Sequence, residues 1–161
     1  MVTDRLTRAR AVAEAVEDPE LPPLTVADLG ILRDTRLVDG IIEIALTPTY
    51  SGCPAMREIT VAVKQAVEAA GAGPVKIRHQ LTPGWTTDWL TETARTKRLA
   101  LGIAPPVPGQ GPETLFSGNA QTCPRCASRE TERIAGFGST ACKALHRCLA
   151  CREPFEAFKC H

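Results

Sequence analysis

The sequence predicts an α+β protein, a small two-layer sandwich of order αββαβα followed by a zinc ribbon-like domain. Three observations carry that prediction. Helical and strand-like apolar spacings alternate through the first part of the chain, a proline-rich stretch then interrupts it, and six of the seven cysteines crowd into the last 39 of 161 residues.

Leu6 to Val16 spaces its apolar residues for a helix and stops before Asp18-Pro19, because the residue ahead of a proline is pushed out of the helical region. Ile31 to Val38 and Ile41 to Thr47 flank Asp39-Gly40, the two-residue signal of a tight hairpin. Pro54 suits the first turn of a helix whose apolar face is Met56, Ile59, Val63, Ala66, Val67 and Ala70, and Gly71 ends it. Pro74 to Thr82 reads as a third strand. Thr86 to Leu101 reads as a last helix, capped by Thr86 or Thr87 and ended by Gly102. The four prolines between Ile103 and Pro112 mark a semi-rigid connection. The expected division is therefore an α/β domain over residues 1–103, a Pro/Gly-rich linker over 104–120 and a cysteine-bearing domain over 121–161.

Charge points to no polyanionic partner. Nineteen Lys and Arg oppose eighteen Asp and Glu, so the basic surplus expected of a phosphate-backbone binder is missing and nucleic acid is not expected. No run of about 18 apolar residues exists to span a bilayer, and the first residues are charged and amphipathic. We expect a cytoplasmic protein with no membrane partner. Homo-oligomerisation is compatible with these features.

The tail carries few aliphatic residues, so apolar burial alone hardly offsets the entropy cost of ordering it. Cys123-Pro-Arg-Cys126 and Cys148-Leu-Ala-Cys151, with 21 residues between them, supply four thiolates for a tetrahedral Zn²⁺ site. A filled tetrathiolate leaves no position for water or substrate, which makes the expected zinc structural; iron in the same four sulfurs is the main rival. Arg125, Arg147 and Arg152 lie near the ligands in sequence and suit the site's negative charge, as exposed basic residues of any small domain also would.

Cys142, Cys160 and His161 remain once that zinc is satisfied. The plain reading packs Cys142 as a small apolar residue and leaves Cys160 and His161 at a frayed terminus. The sharper reading makes the three a second, transient metal or cluster site. Cys53 stands apart, at the mouth of the helix that begins with Pro54, where unpaired N–H groups favour a thiolate. A buried structural cysteine is the competing reading there. Trp85 and Trp89, four apart at a helix entry, read as core. Thr25-x-x-Asp28 before Gly30 fits one capped helical turn, and Asp18 fits a loop-fixing role.

Several of these segments share a pattern. Asp18-Pro19-Glu20, Val26-Ala27-Asp28-Leu29-Gly30-Ile31, Leu46-Thr47 leading to Gly52-Cys53-Pro54, and Pro83-Gly84-Trp85-Thr86 resemble the MIP18 (DUF59) family over residues 4–103. With the paired cysteines and the Glu153-to-Cys160 segment added, the whole chain is similar to the accessory-protein family of the bacterial phenylacetyl-CoA epoxidase system. The resemblance implies a MIP18-like sandwich and an assembly factor for iron–sulfur or iron centres of that oxygenase. It implies partners among the oxygenase or reductase subunits and the iron–sulfur assembly machinery, with a transient cluster or iron beside the zinc. It also implies that Cys53 occupies the family's functional cysteine position, with Asp18, Glu20 and Asp28 as motif residues. The alternative is an integral subunit or electron carrier of the oxygenase, for which no ferredoxin ligand spacing is present. An enzyme in its own right is not expected, since a Cys53 hydrolase lacks a base unless the fold delivers His79.

Overall fold

A computed structural model describes residues 2–106 and 121–159. The chain divides into two compact units, residues 1–85 and 86–161.

The first unit is built from α1 (Val2–Glu14), β1 (Leu32–Val38), β2 (Ile41–Leu46), α2 (Ala55–Ala69) and β3 (Val75–His79). The sheet order is β1-β2-β3. The β1/β2 hairpin closes at Asp39 and Gly40, both with positive φ (50° and 78°), the backbone that an Asp-Gly turn provides. β2 then runs through α2 into β3, which pairs with it in parallel, Ile42 opposite Val75 and Leu46 opposite His79. α1 packs on β1 and α2, and α2 packs on β3. Both helices therefore cover one face of the sheet, where Ile42, Ile44 and Leu46 are fully buried against Ile59, Val63 and Val67 of the predicted apolar stripe. The other face is charged. Glu43 there accepts from Arg36 and Arg78, and the Arg36 hydrogen bond leads the effects that hold its carboxyl below the usual range.

The predicted helix over Thr86–Leu101 is interrupted. A 3-10 turn at Thr87–Trp89 is followed by α3 at Glu92–Ala100, with Leu90 extended between them (ψ 132°). Two competing caps explain the break. The Thr86 hydroxyl accepts from the Asp88 N–H, and the Thr91 hydroxyl accepts from the Ala94 N–H at 3.0 Å, so Thr91 starts a helix of its own.

The second unit holds that turn, α3, β4 (Ile103–Ala104), β5 (Thr131–Ala135), β6 (Lys143–Cys148) and β7 (Pro154–Phe158), in a sheet of order β4-β7-β6-β5. Its extent differs from the expected one, since residues 86–104 group with the cysteine-bearing tail. β4 pairs in parallel with β7, Ile103 opposite Glu156 and Ala104 opposite Ala157. The fully buried Arg98 guanidinium of α3 stacks 3.8 Å from the Phe158 ring centroid. Such pairings of distant residues leave no mark on local composition, whereas prolines do. Most of the expected linker, residues 107–120, lies outside the described residues, as do Cys160 and His161.

Candidate metal centre and the Cys53 edge

Two tight turns present the four cysteines. In the first, the Ala127 N–H donates to Cys123 O and the Cys123 N–H donates to Ser128 O, both at 2.9 Å. In the second, between β6 and β7, the Cys148 N–H donates to Glu153 O at 3.0 Å. Each turn leaves by a left-handed residue directly after its second cysteine, Ala127 (φ 60°) and Arg152 (φ 66°). The β5/β6 ladder, which opposes Thr131 to Cys148, and the Leu149 N–H to Glu130 O bond of 2.7 Å bring the turns together. All four sulfurs then lie within 4.8 Å of one another, with Cys123 to Cys151 at 3.8 Å and Cys126 to Cys148 at 3.5 Å. A tetrahedron with Zn–S bonds of about 2.3 Å has edges of about 3.8 Å, so the donor set fits zinc.

As free thiols, Cys148 and Cys126 shift in opposite directions. The Cys151 N–H, 3.5 Å from the Cys148 sulfur, leads the effects that lower the Cys148 thiol to about 7. Cys126 accepts from the Ser128 backbone, but the neighbouring Cys148 sulfur and burial push it up to about 12. Cys148 is therefore poised to ligate as a thiolate, and metal binding must displace protons from Cys126 and Cys151. Cys123, Cys148 and Cys151 also belong to the apolar cluster of Ala104, Phe155 and Ala157, so the metal-binding site is part of the unit's core. Of the three nearby arginines, Arg125 faces Glu153 and Arg147 pairs with Glu132.

Cys142 lies outside this set. It is buried at the start of β6, with its sulfur 3.1 Å from the Thr140 hydroxyl. The network around it has no counterpart in the expectations from sequence. Lys143, almost fully buried, donates to Glu156 Oε2 and to Ser139 Oγ, both at 2.7 Å, and the Ser139 N–H donates to Glu156 Oε1. Burial raises the Glu156 carboxyl, but Lys143 and Ser139 outweigh it and hold it below the usual range. The Gly-Phe-Gly-Ser-Thr run signals a turn, yet nothing local shows that the lysine after it is buried.

In the first unit, Cys53 sits where β2 hands over to α2. Its N–H donates to Tyr50 O at 3.1 Å, its carbonyl accepts from the Met56 N–H at 3.3 Å, and Pro54 stands at the N-terminal boundary of the helix with helical φ of −68°. The residue is half-buried between exposed Gly52 and Pro54. This is the carboxyl edge of the parallel β2/β3 pair and a helix N-terminus, the place where open α/β sheets take ligands. The other motif segments are tied to the same edge. The Thr47 N–H donates to Ile31 O at 2.8 Å, and the buried Trp85 indole donates to Leu29 O at 2.7 Å. Thr25 and Asp28 exchange hydrogen bonds across one turn, Gly30 leaves that turn with φ 67°, and Asp18 accepts from the Glu20 N–H at 2.7 Å. These carboxylates shape backbone.

His79, the single histidine of residues 1–85, ends β3. Its Nε2 lies 2.9 Å from Thr60 Oγ1, whose hydroxyl already donates to Met56 O at 2.6 Å. The imidazole is therefore the donor. Thr60 is about 8 Å of helix rise beyond Ala55, so His79 is placed beside α2.

Fold and site together define a class, an iron–sulfur assembly domain joined to a zinc ribbon. Residues 7–78 match the iron–sulfur cluster assembly protein family and residues 108–159 match the PaaD zinc beta ribbon domain. A protein of Escherichia coli (strain K12) named as a component of 1,2-phenylacetyl-CoA epoxidase is 47% identical over 93% of this chain and 90% of its own. The chain belongs to the family of that epoxidase component. An Fe-S protein maturation auxiliary factor of Porphyromonas gingivalis is 36% identical over 49% of this chain and 76% of its own. Among solved structures, a DUF59 domain from Bacillus anthracis has 25% identity and a TM-score of 0.54, covering 62% of this chain and 93% of that one. Among the described residues no helix is long and apolar enough to cross a membrane.

Proposed function

We propose that the chain is a non-catalytic maturation factor that helps load the iron–sulfur or iron centres of a multicomponent phenylacetyl-CoA epoxidase. The observation that carries this is the position of Cys53, a partly accessible thiol at a helix mouth on the edge where the family segments converge. Helix N-termini favour a thiolate, the form that ligates iron or carries sulfur. Iron or a cluster is cargo at that sulfur. Cys123, Cys126, Cys148 and Cys151 hold zinc as a structural centre, because four thiolates close the coordination shell. The partners on this reading are the oxygenase or reductase subunits and the iron–sulfur assembly machinery. The relatives named as maturation factors and the matched assembly domain support it.

The test is Cys53→Ser in a strain that depends on this chain for growth on phenylacetate. Serine nearly preserves size, so fold and zinc should persist, while the epoxidase purified from that strain should lack most of its iron. Normal iron content with normal growth returns Cys53 to packing.

A further inference from the structure

In the second unit, the segment between β5 and β6 is rigid at its base and exposed at its tip. The base is the Lys143–Glu156–Ser139 network, reinforced by the Gly138 N–H to Lys143 O bond of 2.8 Å and the Lys143 N–H to Thr140 O bond of 3.1 Å. Gly138 lies so close to Glu156 that a Cβ there would meet Oε1 at 2.5 Å. At the tip, Phe137 is 70% exposed, the most exposed large apolar side chain among the described residues. The Lys159 ammonium sits 3.8 Å from its ring centroid. Beside it, β5 is the edge strand of the sheet, and its pairing skips a residue between Arg133 and Ala135. Ile134 is that bulged residue and is 48% exposed. A bulge re-aims side chains at a sheet edge. Arg133, exposed, stands just before the bulge, and its charge adds to the burial that lowers the Lys159 ammonium, against the opposing effect of Cys142.

A buried ion pair that fixes a surface loop does little for the core. It does remove the ordering cost of binding through that loop. A rigid exposed aromatic flanked by cations is the composition of an interface hot spot.

We propose that Phe137 and Ile134, flanked by Lys159 and Arg133, are the docking peg of the second unit, and that it inserts into an apolar pocket rimmed by carboxylates on a protein partner. The cations fix the rim chemistry, since a basic rim would repel them. A polyanionic nucleic acid is disfavoured by the near-zero net charge. On the maturation reading, on which this identification of the partner rests, that partner is an epoxidase component, so docking and iron handling fall on different units.

The test measures binding of the full chain, zinc-loaded, to the purified oxygenase and reductase components, with an unstructured RNA as comparison. Phe137→Ala should keep stoichiometric zinc and its circular dichroism, because the side chain is exposed, yet bind the component at least tenfold more weakly. Phe137→Tyr should restore binding. Arg133→Glu should weaken it and flatten its salt dependence. Cys53→Ser should bind as the wild type does. Undiminished binding by Phe137→Ala, no binding of wild type to either component, or Phe137-dependent binding to RNA would each overturn the proposal. A Cys53→Ser protein that binds normally and also loads iron normally would sink the maturation reading and leave the peg standing.

Discussion

The two units reach stability by different routes. In residues 1–85, two helices bury Ile42, Ile44, Leu46, Ile59, Val63 and Val67 completely against one sheet face, which is enough apolar area for an ordinary small core. In residues 86–161, the corresponding cluster is Ala104, Phe155, Ala157 and three cysteines. Where the first unit has branched aliphatics, the second has thiols. A thiol fills space like a small apolar group but also takes a metal, so on the proposed function a metal completes the second core. The contrast teaches that one residue type occupies two kinds of setting in one chain: four sulfurs cluster inside a core, whereas Cys53 stands half-buried at a helix mouth; on the proposed function the four hold the fold and Cys53 handles cargo.

The largest expected effect breaks the second core alone. Zinc removal or Cys148→Ser should unfold that unit, with binding free energy on the order of 10 kcal/mol lost, while the first unit keeps its circular dichroism. Limited proteolysis gives the sharper readout. Cleavage should begin near residue 86, because α3 and β4 are anchored to the ribbon by Arg98 and the β4/β7 pairing. Protection of residues 86–104 in the zinc-free protein would restore the division expected at the prolines.

Next in size, Ile44→Ala should cost the first unit about 3–4 kcal/mol in chemical unfolding and leave zinc stoichiometry untouched. Lys143→Met should cost the second unit about 2 kcal/mol, since it strands the Glu156 carboxylate. The same pair gives a pH dependence. Because the Glu156 pKa is lowered from 4.5 on folding, its contribution is complete above about 4.5 and is lost as pH falls through the lower folded value. A titration of urea midpoints at constant zinc should show that loss in the wild type and not in Glu156→Gln. The smallest effect is Ala127→Gly. Relief of left-handed strain worth about 1 kcal/mol is partly offset by the entropy of the unfolded glycine, so a net gain near 0.5 kcal/mol in the zinc-bound protein is expected.

The sequence made some of this architecture readable because the determining interactions are local. Asp39-Gly40 fixed the hairpin, Pro54 and Gly71 bracketed α2, and two Cys-x-x-Cys turns announced the metal-binding cluster. Elsewhere the determinant is remote. Thr91 restarts the helix that Thr86 opens, and only competition between two caps decides which wins. Arg98 reads as a surface residue of α3 until Phe158, sixty positions on, supplies its ring. Lys143 and Glu156 are 13 positions apart, a spacing that no helical or strand periodicity connects. Cys53 was visible as a thiol at a helix mouth, but the convergence of Ile31, Leu29 and Trp85 on the same edge is a product of the parallel β2/β3 crossover.

The most direct test of two thiol sites with separate roles is X-ray absorption on one anaerobic, full-length preparation supplied with zinc, iron and sulfide, comparing wild type with Cys53→Ser. Zinc in both proteins should show four sulfur neighbours at about 2.3 Å. Iron should bind to the wild type and be absent from Cys53→Ser. Iron retained by the mutant, or iron displacing zinc from the knuckle sulfurs, would contradict the account.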